Sequence, residues 1–280
     1  MAEIAGVVLA GGRSSRMGAP KAGLEWHGST LLRRVTGILA RGLDGPVLVV
    51  RAPGQPLPPL PAGVEVLQDP SEGNGPLQGI AVALTVLADR AYSAFVCSTD
   101  LPLLHPAFVR RVTRDSDAAD VVLPVVGGHR QPLAACYRTS LADAAARLVA
   151  ADRLRPAYLF DGARVVHLDE SDLLADPALR RADPELDSVA GVNTPADYRA
   201  ARDRPAPSVT VQRFGVLASG SESGDRTVRA ASLGAAAAAV GVVLDRHVLA
   251  ALNGDQMSRD PEVPLVDGDV VTFLSADAGG

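Results

Sequence analysis

The chain has 280 residues, 47% of them apolar, with 27 basic and 32 acidic side chains and a formal charge of −5. That length holds one large domain or two unequal ones, and the lack of a basic excess argues against a general nucleic-acid binder. No apolar run approaches the ~20 residues of a membrane span. The first residues, MAEIAGVVLAGGRSSR, carry no basic region ahead of their apolar run and so make a poor signal peptide. Two cysteines, Cys97 and Cys136, form neither a disulfide framework nor a metal-ligand spacing, and a reducing cytoplasm is the expected setting.

In chain order, residues 4–10 are short, apolar and closed by glycines, which predicts a buried strand. Ser29 or Thr30 can cap a helix whose apolar positions Leu31, Leu32, Val35, Ile38 and Leu39 follow helical spacing. Gly45-Pro46 ends it, and residues 47–50 predict a second strand. Residues 51–63 are proline-rich and predict a loop. A third strand at 64–67 precedes the loop 69–76, and 77–90 reads as a helix with Leu77, Ile80, Ala81, Leu84 and Leu87 on one face. Residues 94–98 predict a fourth strand, Pro106 suits the first turn of a helix, and 120–126 predict another strand. Strands alternating with helices indicate an α/β fold with a mainly parallel sheet, and the charged or glycine-rich loops after Ala10, Leu67 and Ser98 should meet at the carboxyl ends of its strands. Residues 170–187 are charged and read as a solvated loop and helix face, while Thr194-Pro195 is a strong helix start.

The pattern changes after RDRPAPS, residues 202–208, a polar and proline-rich linker. Residues 209–214 alternate like a half-buried strand, Ser232 can cap the alanine-rich segment 233–240, and 248–252 and 270–274 predict strands with Asp267-Gly268-Asp269 as a turn. This order predicts a small α+β domain with one helix on a mixed sheet. The expected division is 1–201, a linker at 202–208, and 209–280.

The segment VVLAGGRSSRMGAPKAGL places Gly11-Gly12, Arg13, Arg16 and Lys21 just after the first strand. Glycines let backbone N–H groups approach an anion, and Arg and Lys supply charge. The spacing is neither GxxxxGK[ST] nor GxGxxG. By itself it fits a phosphate cradle or an exposed charged turn. His129 and Arg130 in GGHRQP fit a phosphate contact or a plain turn equally well, and Cys97 and Cys136 read as buried small hydrophobes.

Taken together, LAGGRSSRMGAPKAGL, VLQDPSEGNGPLQGI, CSTDLP, GGHRQPLAACY and VNTPADY resemble, in order, the motifs of nucleotidyltransferases related to molybdenum cofactor guanylyltransferase. The resemblance spans residues 4–201 and implies a Rossmann-like domain that uses Mg²⁺ and GTP to join GMP to molybdopterin. It implies that Leu9, Ala10 and Gly11 contact guanine and ribose through the backbone, and that Gly12 admits the phosphates. Arg16 and Lys21 would neutralise the triphosphate, Asp69 would belong to the nucleotide pocket, Asp100 would hold the metal, and Asn193 would lie on the pterin side. Two positions depart from the pattern. Pro20 stands where guanylyl enzymes carry Asp, as in the cytidylyl branch, and Arg51 takes a nucleotide-binding position where Asn is expected. The double glycine and GPLQG favour GTP. A cytidylyl or sugar-phosphate enzyme is the alternative, as is one half retained only as a binding module.

VPLVDGDVVTFLSADAGG, with SVTVQRFG, ASLGAAAAAVG and LAALNGD upstream, resembles the small subunit of molybdopterin synthase, a ubiquitin-like β-grasp sulfur carrier. That resemblance implies a thiocarboxylate at Gly280 on a Gly279-Gly280 tail. It also implies two partners for the tail, an adenylating E1-like enzyme and the large subunit of the synthase.

Overall fold

The computed structural model describes residues 3–11, 17, 20–71, 73–218 and 224–275. The chain divides into two compact units, residues 1–24 with 30–201, and residues 25–29 with 202–280.

The first unit contains β1 (Ile4–Leu9), α1 (Leu31–Gly42), β2 (Val47–Arg51), β3 (Glu65–Gln68), α2 (Gly75–Leu87), β4 (Ser93–Ser98) and α3 (Pro106–Thr113). It continues with β5 (Val121–Val126), β6 (Ala134–Arg138), α4 (Ala142–Ala150), β7 (Val165–Leu168), α5 (Glu170–Leu174), α6 (Pro177–Ala182) and α7 (Pro195–Arg202). The sheet order is β7-β5-β6-β4-β1-β2-β3. β1 lies between β2 and β4 and is parallel to both. Its apolar run IAGVVL has no alternation because both faces of a central parallel strand are covered. α1 starts where the hydroxyl of Thr30 accepts the Arg33 N–H at 3.3 Å, and it buries Leu31, Leu32, Val35, Ile38 and Leu39. Each such side chain contributes roughly 1.5–3 kcal/mol by leaving water.

The helix predicted at 77–90 runs from Gly75 to Leu87, and the strand predicted at 64–67 is shifted by one residue to Glu65–Gln68. Several strands escaped the sequence reading, β6 and β7 of this unit among them. β6 enters between β4 and β5 and is antiparallel to both, so the sheet is mainly but not wholly parallel. Tyr137 of β6 is fully buried and donates its hydroxyl to the Pro132 carbonyl at 2.7 Å. Residues 170–187 also need correction, because Asp176 and Asp183 are buried within them. Asp176 accepts from the Ala178 and Leu179 N–H groups at the start of α6, and Asp183 accepts from those of Asp187 and Ser188. Asp176-Pro177 carries the same cap-then-proline signal as Thr194-Pro195, but the burial of these two carboxylates is set by tertiary packing.

The second unit contains β8 (Ser208–Arg213), β9 (Arg226–Arg229), α8 (Leu233–Ala239), β10 (Val248–Leu252), β11 (Gln256–Ser258) and β12 (Val270–Ser275). Its sheet order is β9-β8-β12-β10-β11. β8 and β12 are parallel neighbours, and the other pairings are antiparallel. Ser232 caps α8 by accepting the Ala235 N–H at 3.3 Å, and Leu233, Ala236 and Ala237 pack on Val209, Val211, Val271 and Phe273. Alanines on this face let a short helix lie close to the sheet.

Candidate nucleotide site

The carboxyl ends of β1, β2, β3 and β4 open into a crevice with a cavity volume of about 290 Å³. Its floor is backbone. Ala10 and Gly11 donate to the Val50 carbonyl at 2.8 and 3.2 Å, so the chain leaving β1 stays fastened to β2. A side chain on Gly11 would bring its Cβ within 3.2 Å of the Ala52 nitrogen, so glycine allows the two loops to meet. Gln55, which the sequence did not single out, stitches the same place. Its Nε2 donates to the Ala10 carbonyl at 3.0 Å, and its Oε1 accepts the Ala52 N–H at 3.0 Å.

One wall carries Asp100. Lys21 Nζ donates to Asp100 Oδ2 at 2.8 Å and to Asn193 Oδ1 at 3.0 Å. Ser98 Oγ donates to the other carboxylate oxygen, and the Asp100 carbonyl accepts the Val192 N–H at 2.9 Å. Thr99 holds the strand end from below, with its hydroxyl on the Leu9 carbonyl at 3.1 Å. Asn193 is placed by a reciprocal cap at α7. Asp197 Oδ2 accepts from the N–H groups of Asn193 and Thr194, while Asp197 N–H donates to the Thr194 hydroxyl at 3.1 Å. The Thr194 side chain, then the backbone N–H groups, and the Lys21 charge hold the Asp197 carboxyl below its ordinary range.

The opposite wall carries Asp69 and the start of α2. Asp69 N–H donates to the Arg51 carbonyl at 2.8 Å, and its Oδ1 accepts from Gln78 Nε2 at 3.2 Å. Burial pushes the Asp69 carboxyl up, against the opposing Gln78 bond. Gly75 has φ +70°, and a Cβ there would approach the Leu154 carbonyl to 2.9 Å, so glycine is needed where α2 begins.

Leu9, Ala10, Gly11, Lys21, Asp69 and Asp100 therefore line one crevice. Asn193 reaches it through Lys21. The Arg51 side chain does not line it: Nη1 donates to the Gln55 carbonyl at 2.9 Å and Nη2 to Gln68 Oε1 at 3.3 Å. His129 and Arg130 are exposed in a short strand paired with β5 and are not part of its lining. Gly12, Arg16, Gly279 and Gly280 lie outside the described residues. Cys97 and Cys136 are buried, and burial pushes both thiols up, Cys136 to about 12, so neither is a thiolate nucleophile. Among the described residues no three His, Cys, Asp or Glu side chains gather as a metal cage. One carboxylate facing a phosphate-sized crevice still fits Mg²⁺, which keeps waters and takes phosphate oxygens beside one or two protein carboxylates. No helix of the described residues is long and apolar enough to cross a membrane.

Residues 6–165 match the family model described as the MobA-like NTP transferase domain. A Mycobacterium avium protein named "Probable molybdenum cofactor guanylyltransferase" is 40% identical over 205 residues, 71% of this chain and 94% of its own length. The Mycobacterium tuberculosis protein of that name is 40% identical over 197 residues, 69% of this chain and 92% of its own. The crystal structure of molybdopterin-guanine dinucleotide biosynthesis protein A from Archaeoglobus fulgidus has a similar fold, with TM-score 0.57 and 22% identity over 71% of this chain and 96% of that one. Rv0371c of Mycobacterium tuberculosis, in complex with manganese, has TM-score 0.51 and 18% identity over 72% and 99% of the two chains.

Proposed function

The chain belongs to the MobA-like NTP transferases and is a nucleotidyltransferase, and on that footing we propose that it transfers GMP from GTP to molybdopterin. The observation that carries the proposal is the meeting of Lys21, Asp100 and Asn193 at a crevice floored by the backbone of Leu9, Ala10 and Gly11. A terminal phosphate oxygen of molybdopterin attacks the α-phosphorus of GTP. The new P–O bond forms as the bond from the α-phosphorus to the β-phosphate oxygen breaks, and pyrophosphate leaves.

Such a transfer needs alignment and charge neutralisation more than covalent help. The backbone at 9–11 seats the base and ribose, and the family motif assigns the phosphates to Gly12. Lys21 stabilises the departing pyrophosphate, a role the family motif also gives to Arg16. Asp100 would hold Mg²⁺, with Ser98 fixing its carboxylate. When bound, the ion neutralises phosphate oxygens. Arg51 contributes through its carbonyl, which positions Asp69, rather than through its guanidinium. Asn193 orients Lys21 and borders the pterin side.

The second unit is, in the same proposal, a β-grasp sulfur carrier for molybdopterin synthesis, with residues 202–208 as the joint between 1–201 and 209–280. Its first and last strands, β8 and β12, are parallel neighbours inside the sheet, and the one helix α8 packs on that sheet, which supports the reading. The reading requires Gly280 to carry a free carboxylate. An adenylating E1-like enzyme and a synthase large subunit would then be the partners of the Gly279-Gly280 segment.

The test is pyrophosphate release by the purified chain with molybdopterin, Mg²⁺ and a panel of nucleoside triphosphates. GTP should be preferred. Equal or better use of CTP, the outcome Pro20 points toward, overturns the guanylyl assignment. Release with a sugar phosphate but not with molybdopterin overturns the acceptor.

A further inference from the structure

We propose that Gln78 is a positioning residue that locks Asp69, presenting Oδ2 of that carboxylate to a hydrogen-bond donor of the nucleotide; the proposal rests on the reading of the crevice as the nucleotide site. Gln78 is the fourth residue of α2 and is 3% exposed, so its amide meets protein on every side. Nε2 donates to Asp69 Oδ1 at 3.2 Å and to the Ser71 carbonyl at 2.9 Å, and Oε1 accepts from Asn74 Nδ2 at 2.7 Å. The amide has one workable orientation. Turned over, its oxygen would face the Asp69 carboxylate and the Ser71 carbonyl, and its NH₂ would face the Asn74 amide hydrogens. A buried amide adds nothing to packing that a methionine would not supply, and burial without partners is costly. The side chain therefore fits a network rather than a core position. Asn74 completes the arrangement. It stands at the start of α2 but turns its amide to Gln78 and to Ser71 Oγ at 3.1 Å instead of capping the helix.

The network gathers Asp69, Ser71 and Asn74 around the Gln78 amide. With Oδ1 engaged by Gln78, Oδ2 takes no hydrogen bond from the described residues, and Asp69 lines the crevice. A nucleotide N–H or ribose hydroxyl is the chemistry such an oxygen accepts. Among the described residues, the charged groups around Asp69 are Lys21 and Asp100 in the same crevice and Arg51 on β2, whose guanidinium is held by Gln55 and Gln68. Burial raises the Asp69 carboxyl and the Gln78 bond opposes it, so removing that bond raises it further.

The experiment compares wild type, Gln78→Met and Gln78→Ala by carbon-13 NMR of labelled aspartate side chains, with Asp69→Ala identifying the signal. Asp69 should titrate at higher pH in both variants. The dissociation constant of Mg-GTP should rise about tenfold, the size of one charge-assisted hydrogen bond. In an Asp69→Ala background the same substitutions should change it less than about twofold, because the lost contact is already absent. An unmoved Asp69 titration overturns the proposal, and so do losses that add fully to that of Asp69→Ala. If the wild-type chain binds no GTP, the nucleotide reading fails, while the titration still decides whether Gln78 holds Asp69.

Discussion

Lys21 Nζ lies 2.8 Å from Asp100 Oδ2 across 79 residues of sequence, and each side chain is 19% exposed. The ammonium thus stands on the carboxylate that would hold a divalent cation. Replacing Lys21 by Met should have two opposite effects. Transfer should slow by about 10²–10³, the scale of one preorganised charge at a reacting phosphate. Binding of Mn²⁺ without nucleotide, followed by electron paramagnetic resonance, should tighten because the competing cation is gone. Weaker Mn²⁺ binding would show that Lys21 supports the metal site rather than competing for it.

Asp100→Asn should abolish transfer and leave the fold intact. The backbone that places this residue does not depend on its charge, since its carbonyl accepts from Val192. Circular dichroism and a melting curve should match wild type while pyrophosphate release is lost. Near wild-type turnover in a normally folded variant removes Asp100 from the mechanism.

Arg51 and Gln55 separate side-chain from backbone roles. The Arg51 guanidinium is engaged outside the crevice, so Arg51→Ala should change the KM for GTP less than about threefold. Gln55→Leu leaves the Ala10 carbonyl and the Ala52 N–H without their partner. It should raise that KM by about tenfold, the cost of a loosened loop and unpaired backbone groups. The reverse ranking would return Arg51 to the nucleotide.

Asp176 gives a pH prediction. Bonds from the Leu179 and Ala178 N–H groups and the Arg114 guanidinium hold its carboxyl below the ordinary value, the Leu179 bond most, against the burial that raises it. A folded value below the unfolded one stabilises the protein above the ordinary carboxylate range, and the contribution is lost as pH falls through the lowered value. Asp176→Ala should cost about 1–2 kcal/mol in urea unfolding at pH 7, the worth of a helix cap. The gap should shrink as pH falls below the ordinary carboxylate range; an unchanged gap would assign the loss to packing alone.

Gly280 tests the carrier reading. Incubated with an adenylating partner, ATP and a sulfur donor, the chain should gain the mass of one oxygen replaced by sulfur. A residue added after Gly280 should prevent the gain and leave nucleotidyl transfer unchanged. No gain with a competent partner leaves the second unit needing another role.

The sequence alone determined the elements whose signals are local. β1 is apolar between charge and glycine, Thr30 and Ser232 cap helices at fixed spacing, and the loops after β1, β3 and β4 announce a site because charge follows directly on buried strands. It also placed Lys21, Asp69 and Asp100 on those loops. Only the tertiary structure decided the rest, because those choices rest on partners distant in the chain. β6 is a strand through its pairing with β4 and β5, and Asp176 is a buried anchor through Arg114. Arg51 is held by Gln55 and Gln68 and does not line the crevice, and Asn193 reaches Lys21 across 172 residues. Gln78 reads in sequence as one more residue of a helix. Its importance comes from a buried amide whose partners among the described residues are Asp69, Ser71 and Asn74.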